Sequence, residues 1–226
     1  MANPGGAVRT PGYLSPVTTL RDTGRPADGE SVAGVPASAA AGAEGNERLT
    51  AWTGAVLLLG FAAEGFTILD VHWYMKWHIL IGYALLVPVA LKVASTGYRF
   101  GRYYTGTPAY VRKGPPRIVL RVLGPFLVLL TLGVLLTGVG LMFFDGHHRQ
   151  LEMLHKLSFL GWVGVTTVHV LAYVWRLPRL MLADVLGRGT ARTSALGRIA
   201  LAAGSGAVGL GIGVLLLPWI TDWIAR

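Results

Sequence analysis

Apolar residues along this chain fall into long blocks separated by short polar and basic stretches. A helix needs roughly 20 apolar residues to cross the hydrocarbon core of a bilayer, and five blocks meet that length. They run from about Leu49 to Leu69, Tyr74 to Ala94, Ile118 to Phe144, Leu151 to Trp175 and Ile199 to Ile220. The third is long enough to tilt or project. Pro88 removes a backbone donor inside the second and predicts a kink there. The pattern predicts an all-α membrane protein: a four-helix transmembrane bundle plus a fifth transmembrane helix at its edge.

Residues 1–46 show no apolar period and are rich in Ala, Gly, Pro, Ser and Thr, so a disordered cytoplasmic tail is expected there. The basic start and early apolar run of a signal peptide are missing, so the first span is expected to remain as an anchor. Residues 47–176 then form the bundle. Residues 177–226 supply a basic inner loop and the fifth helix.

Composition agrees with the pattern. Of 226 residues 53% are hydrophobic and 14% charged, against about 25% charged in soluble domains. The formal charge of +9 does not point to nucleic acid, because the cations cluster between the apolar blocks. Arg99, Arg102, Arg112, Lys113 and Arg117 lie between the second and third spans with no acid among them. Arg176, Arg179, Arg188, Arg192 and Arg198 lie between the fourth and fifth, against Asp184 alone. Basic loops stay cytoplasmic. The expectation is a multi-pass protein of the plasma membrane, N-terminus cytoplasmic and C-terminus outside. With no cysteine, disulfides, thiolate-held clusters and covalently attached haem are excluded.

Three histidines fall inside the spans: His78, His155 and His169. Ionisable residues at membrane depth are costly and mark functional candidates. His78 and His155 each lie about one turn into spans of the same direction, so they share a depth near the outer face. Haem iron takes two axial ligands from facing helices at one level, and Gly82 leaves room for a flat macrocycle. His169 follows His155 by fourteen residues, about 21 Å of rise and nearly the same helix face. A second haem near the inner face would suit that spacing, but the corresponding position on the second span is Lys92.

On His78, the His155–His169 pair and glycines such as Gly82, residues 48–176 resemble the membrane b-type cytochromes of the four-helix superfamily. These include the membrane subunits of hydrogenases and formate dehydrogenases and the ferric-reductase-like proteins. The stretch LKVASTGYRFGRYYTGTPAYVRKGPP, with LHKLSF and TTVHV after it, is more closely similar to a cytochrome-b-like group from high-GC bacteria that has no assigned activity. Families with two haems usually offer four histidines, whereas three here lie at suitable depth. The resemblance implies one haem b on His78 and His155, and a weaker second at His169 with Lys92 or no protein partner.

Other groups are read more plainly. Lys92 is expected to snorkel toward inner headgroups. Glu64 fits either a proton or quinone role or a hydrogen-bonded structural glutamate. Lys76, Arg149 and Lys156 ring the outer mouth, within reach of haem propionates or headgroups. His147 and His148 have the chemistry for copper or zinc, although adjacent loop histidines are more often solvated. Glu152 and His155 make a single E-x-x-H, too little for a di-iron bundle. Gly204, Gly206 and Gly209 spell G-x-G-x-x-G, but a dinucleotide site needs a preceding strand. With Gly213 they read instead as a helix-packing surface. Trp73, Trp77, Trp175, Trp219 and Trp223 sit near span ends as an interfacial belt.

The expected function is membrane electron transfer through b-type haem, between a redox protein partner and quinone or another carrier. That would make the chain the electron-transfer subunit of an oxidoreductase. The alternative is a haem-free membrane anchor or small transporter subunit. No nucleophile–base constellation for hydrolysis or group transfer is present.

Overall fold

The computed structural model describes residues 37–114, 118–144, 149–188 and 192–225, and all regular structure among them is helical. α1 (Ala37–Thr67) and α2 (Val71–Tyr104) are separated by one 3₁₀ turn, Ile68–Asp70. Asp70 leaves helical geometry, at φ −146° and ψ 79°, and its carboxylate accepts from the Trp73 N–H at 3.1 Å. This N-cap satisfies a donor that the new helix would otherwise leave free. The chain then folds back antiparallel: Asn46 donates to the Ser95 carbonyl at one end, and Thr67 meets His78 at the other.

α3 (Pro108–Arg112) is a short turn of helix that follows α2. α4 (Ile118–Phe143) and α5 (Arg149–Tyr173) form a second antiparallel hairpin. Their closeness depends on small residues. A Cβ on Gly133 would sit 3.1 Å from Ser158 Oγ, and one on Gly161 would sit 3.2 Å from Leu130 Cδ2. α6 (Leu177–Val185) follows α5 at a 53° bend.

α7 (Arg192–Leu215) lies along the first hairpin. A Cβ on Gly209 would stand 2.0 Å from the Ala84 carbonyl oxygen, and one on Gly213 2.9 Å from that of Leu80. The glycines therefore serve backbone-to-backbone packing. Leu80 and Ala84 point nearly opposite to His78 and Gly82 on α2 at about 100° per residue. α7 thus covers the back of α2 and leaves its histidine face free. α8 (Leu217–Ile224) brings Trp219 and Trp223 onto a cluster of Tyr83, Met142 and Ile220.

Three stretches are long and apolar enough to cross a membrane: Ala40–Tyr104, Arg121–Phe143 and Ser194–Leu215. The first contains the α1–α2 hairpin, and the bent α5–α6 pair makes a fourth if taken as one span. Leu59, Leu129, Leu136, Leu160 and Leu171 all point outward and exposed, as a surface solvated by lipid requires. The chain is a helical membrane protein.

Several boundaries differ from the sequence reading. α1 starts at Ala37, well ahead of Glu47, because the alanine-rich lead favours helix and Ala43 packs on Ala109 and Tyr110. The remainder of the expected tail, residues 1–36, lies outside the described residues. α2 continues beyond Ala94 to Tyr104 and carries Arg99 and Arg102 on helix. The connection after α5 carries α6. Asp184 is fully buried and accepts from Arg48 at 3.2 Å, from Trp52 at 3.1 Å and from Arg198 Nε at 3.1 Å. Burial works against its charge, yet the hydrogen bonds from Arg198, Arg48 and Trp52 outweigh it and hold the carboxyl below its usual pKa. This knot ties α6 to α1 and α7.

Candidate functional site

The two hairpins do not pack tightly on each other near the α1–α2 turn. Between them lies a slot walled by Phe61, Ile79, Leu135, Val139 and Trp162, with Glu64, His78 and His155 among its polar lining. Gly65, Gly82 and Gly138 also line it. A Cβ on Gly138 would stand 3.2 Å from His155 Cε1, so glycine there lets the ring lie against α4. Phe61 and Trp162 close on each other at 4.7 Å between ring centroids, and Trp162 Nε1 donates to Thr131 Oγ1 at 3.0 Å.

His78 and His155 converge in this slot, their ring centroids 6.4 Å apart and their planes at 89°. Hydrogen bonding fixes the tautomer of each. Thr67 Oγ1 donates to the Glu64 carbonyl at 2.5 Å and lies 3.0 Å from His78 Nδ1. Its one proton is committed, so it accepts from an Nδ1–H. Thr137 repeats the arrangement on α4: Oγ1 donates to the Gly133 carbonyl at 2.6 Å and lies 2.9 Å from His155 Nδ1. In both rings Nε2 is left as the lone-pair nitrogen, the state a metal ligand requires. Glu64 Oε1 stands 3.1 Å from His78 Nδ1, and its Oε2 is buried without a hydrogen-bond partner among the described residues.

The fit to haem follows from these distances. Metal–imidazole bonds run about 2.0–2.1 Å and the ring centroid lies about 1.1 Å beyond the nitrogen, so two imidazoles on opposite sides of one ion stand about 6.3 Å apart. Among the described residues no group of three or more His, Cys, Asp or Glu side chains is placed to hold an ion. Two imidazoles match the pair of protein ligands that a porphyrin-bound iron would need, since the macrocycle would supply the other four. The apolar, glycine-relieved walls suit a flat ring. The residues present fit the group.

His169 is not part of this constellation. It lines a second, larger cavity at the opposite end of the helices, together with Lys92, and its Nδ1 is buried without a hydrogen-bond partner among the described residues. Lys92 departs from the snorkelling expectation. Its Nζ turns onto α1 and donates to the Thr50 carbonyl at 2.6 Å. Gly54 makes this approach possible, since a Cβ there would stand 3.1 Å from Nζ.

Of the outer cations, Lys156 reaches the slot and pairs with Glu152 at 2.5 Å. Lys76 and Arg149 do not line it. His147 and His148 lie outside the described residues. Thr67 and Thr137 had no distinguishing mark in the sequence, because a threonine inside a helix ordinarily bonds only its own preceding turn. Comparison with protein-family models, curated proteins and solved structures gives no match to this chain.

Proposed function

We propose that the chain is a membrane electron-transfer protein that would hold one b-type haem between its two hairpins, with His78 and His155 as the residues binding its iron. The observation that carries the reading is the 6.4 Å imidazole pair, each ring tied at Nδ1 to a threonine, which leaves Nε2 as the lone-pair nitrogen. When bound, such a haem supplies a six-coordinate, one-electron couple instead of an oxygen site.

The chain's own residues do the rest. Thr67 and Thr137 fix the rotation and tautomer of the two rings. Glu64, beside His78 Nδ1, makes that ring a stronger donor. Phe61, Leu135 and Trp162 keep water from the slot, and burial together with Lys156 at its mouth tunes the potential. We read α1, α2, α4, α5 and α7 as five spans of the plasma membrane, four forming the bundle and α7 packed outside it. The arginine-rich connections face the cytoplasm, with the N-terminus inside and the C-terminus outside. In this reading the chain belongs with the four-helix b-type cytochromes. It passes electrons between a redox protein partner and quinone or another carrier, as the membrane subunit of an oxidoreductase. A second haem at His169 has less behind it, because Lys92 donates to a carbonyl and, among the described residues, no second imidazole lines that cavity.

The test is a reduced-minus-oxidised visible spectrum of the full chain, purified after expression with ample haem. A sharp low-spin b-type band at one haem per chain is expected. A colourless, folded protein would leave the haem-free membrane anchor or small transporter in its place.

A further inference from the structure

The inner cavity has a chemistry of its own. It exists because α5 packs chiefly on α4, which leaves a gap toward α1 and α2. Its walls mix apolar side chains, Leu58, Val170 and Leu180 among them, with four cations: Lys92, Arg99, Lys113 and Arg176. One carboxylate, Glu47, lines it against them. Glu47 accepts from Lys113 at 2.6 Å and stands 3.5 Å from Arg176. Neither Lys92 nor Arg99 is ion-paired among the described residues. A cation taken into a cleft between membrane helices without an anion is costly. The imbalance calls for a negative ligand.

The donors also narrow the ligand. Lys92 Nζ is already engaged with the Thr50 carbonyl at 2.6 Å, a contact that a metal ion would have to break. Among the described residues no second imidazole lines the cavity with His169. Arginine and lysine around an apolar cleft instead match a phosphodiester joined to hydrocarbon, and basic pockets between helices on the cytoplasmic side take such headgroups. We propose that the inner cavity binds one anionic phospholipid from the inner leaflet. Arg99 and Lys92 meet its phosphate, and the wall of Leu58, Val170 and Leu180 meets an acyl chain. The site does not depend on haem at His78 and His155.

The experiment uses the full chain in neutral detergent and follows its thermal midpoint during titration with phosphatidylglycerol, phosphatidylcholine or inorganic phosphate. Phosphatidylglycerol is expected to raise the midpoint saturably, while the other two have little effect. Arg99→Gln and Lys92→Gln are each expected to raise the half-saturating lipid concentration by about fivefold. Arg102→Gln, on the same helix but outside the cavity, should leave it unchanged. Equal responses to both lipids would overturn the proposal, as would an equal loss in Arg102→Gln. A full response to inorganic phosphate would make this a free-anion site and reject the lipid. A second haem per chain that disappears in His169→Ala would also overturn it. Because the midpoint is read with or without haem, failure here is distinguishable from failure of the cytochrome reading.

Discussion

His78 on α2 and His155 on α5 bring their ring centroids to 6.4 Å with planes at 89°. If both rings held one low-spin ferric iron at this angle, the two upper d orbitals that share its unpaired electron would be almost degenerate. The oxidised protein should therefore give a highly anisotropic low-spin electron paramagnetic resonance signal with one very large g value. An ordinary rhombic spectrum would mean that the rings turn toward parallel on binding.

Thr67 and Thr137 each accept from an Nδ1–H and hold an imidazole in place. Removing such a partner typically costs 10–100-fold in ligand affinity. Thr67→Val and Thr137→Val should each weaken haem uptake by about that factor, measured by titrating haemin into haem-depleted protein. The serine variants, which keep the hydroxyl, should recover most of the loss. Valine variants with unchanged uptake would show that the hydroxyls do not position the rings.

Helical arithmetic was enough to bring the two site histidines together. Each lies about one turn into spans of the same direction, so depth followed from counting, and their convergence followed from two adjacent hairpins. The hydrogen bonds around them were not legible, because they join residues on different helices: Thr137 reaches His155 from α4, and Thr67 reaches His78 across the Asp70 turn. Lys92 was misjudged for a related reason. Its route to Thr50 depends on the missing side chain of Gly54 on the facing helix, and single-helix depth contains no such term. The first helix begins early because Ala43 finds a partner in Tyr110, a contact between segments far apart in sequence.

Gly209 packs its backbone directly on that of α2. With a Cβ only 2.0 Å from the Ala84 carbonyl, Gly209→Ala must push α7 away from α2, at a cost of about 1–3 kcal/mol. A lowered thermal midpoint in detergent should report this. Gly211→Ala, where a Cβ meets nothing within 4 Å, should leave the midpoint nearly unchanged. Equal effects from both would argue against the close crossing.

Sidedness is open to a direct check, since the chain has no cysteine of its own. In intact cells a membrane-impermeant maleimide should label His72→Cys, beside the Asp70 turn, and spare Thr105→Cys, at the end of α2. After permeabilisation both should react. Labelling of Thr105→Cys alone in intact cells would invert the topology.

The most direct trial of the account is the haem content and visible spectrum of three single variants beside the parent chain. His78→Ala and His155→Ala should each abolish the same low-spin band while the protein remains folded, and His169→Ala should retain it. Loss of colour in His169→Ala, with either of the other two still red, would contradict the ligand pair on which the function rests.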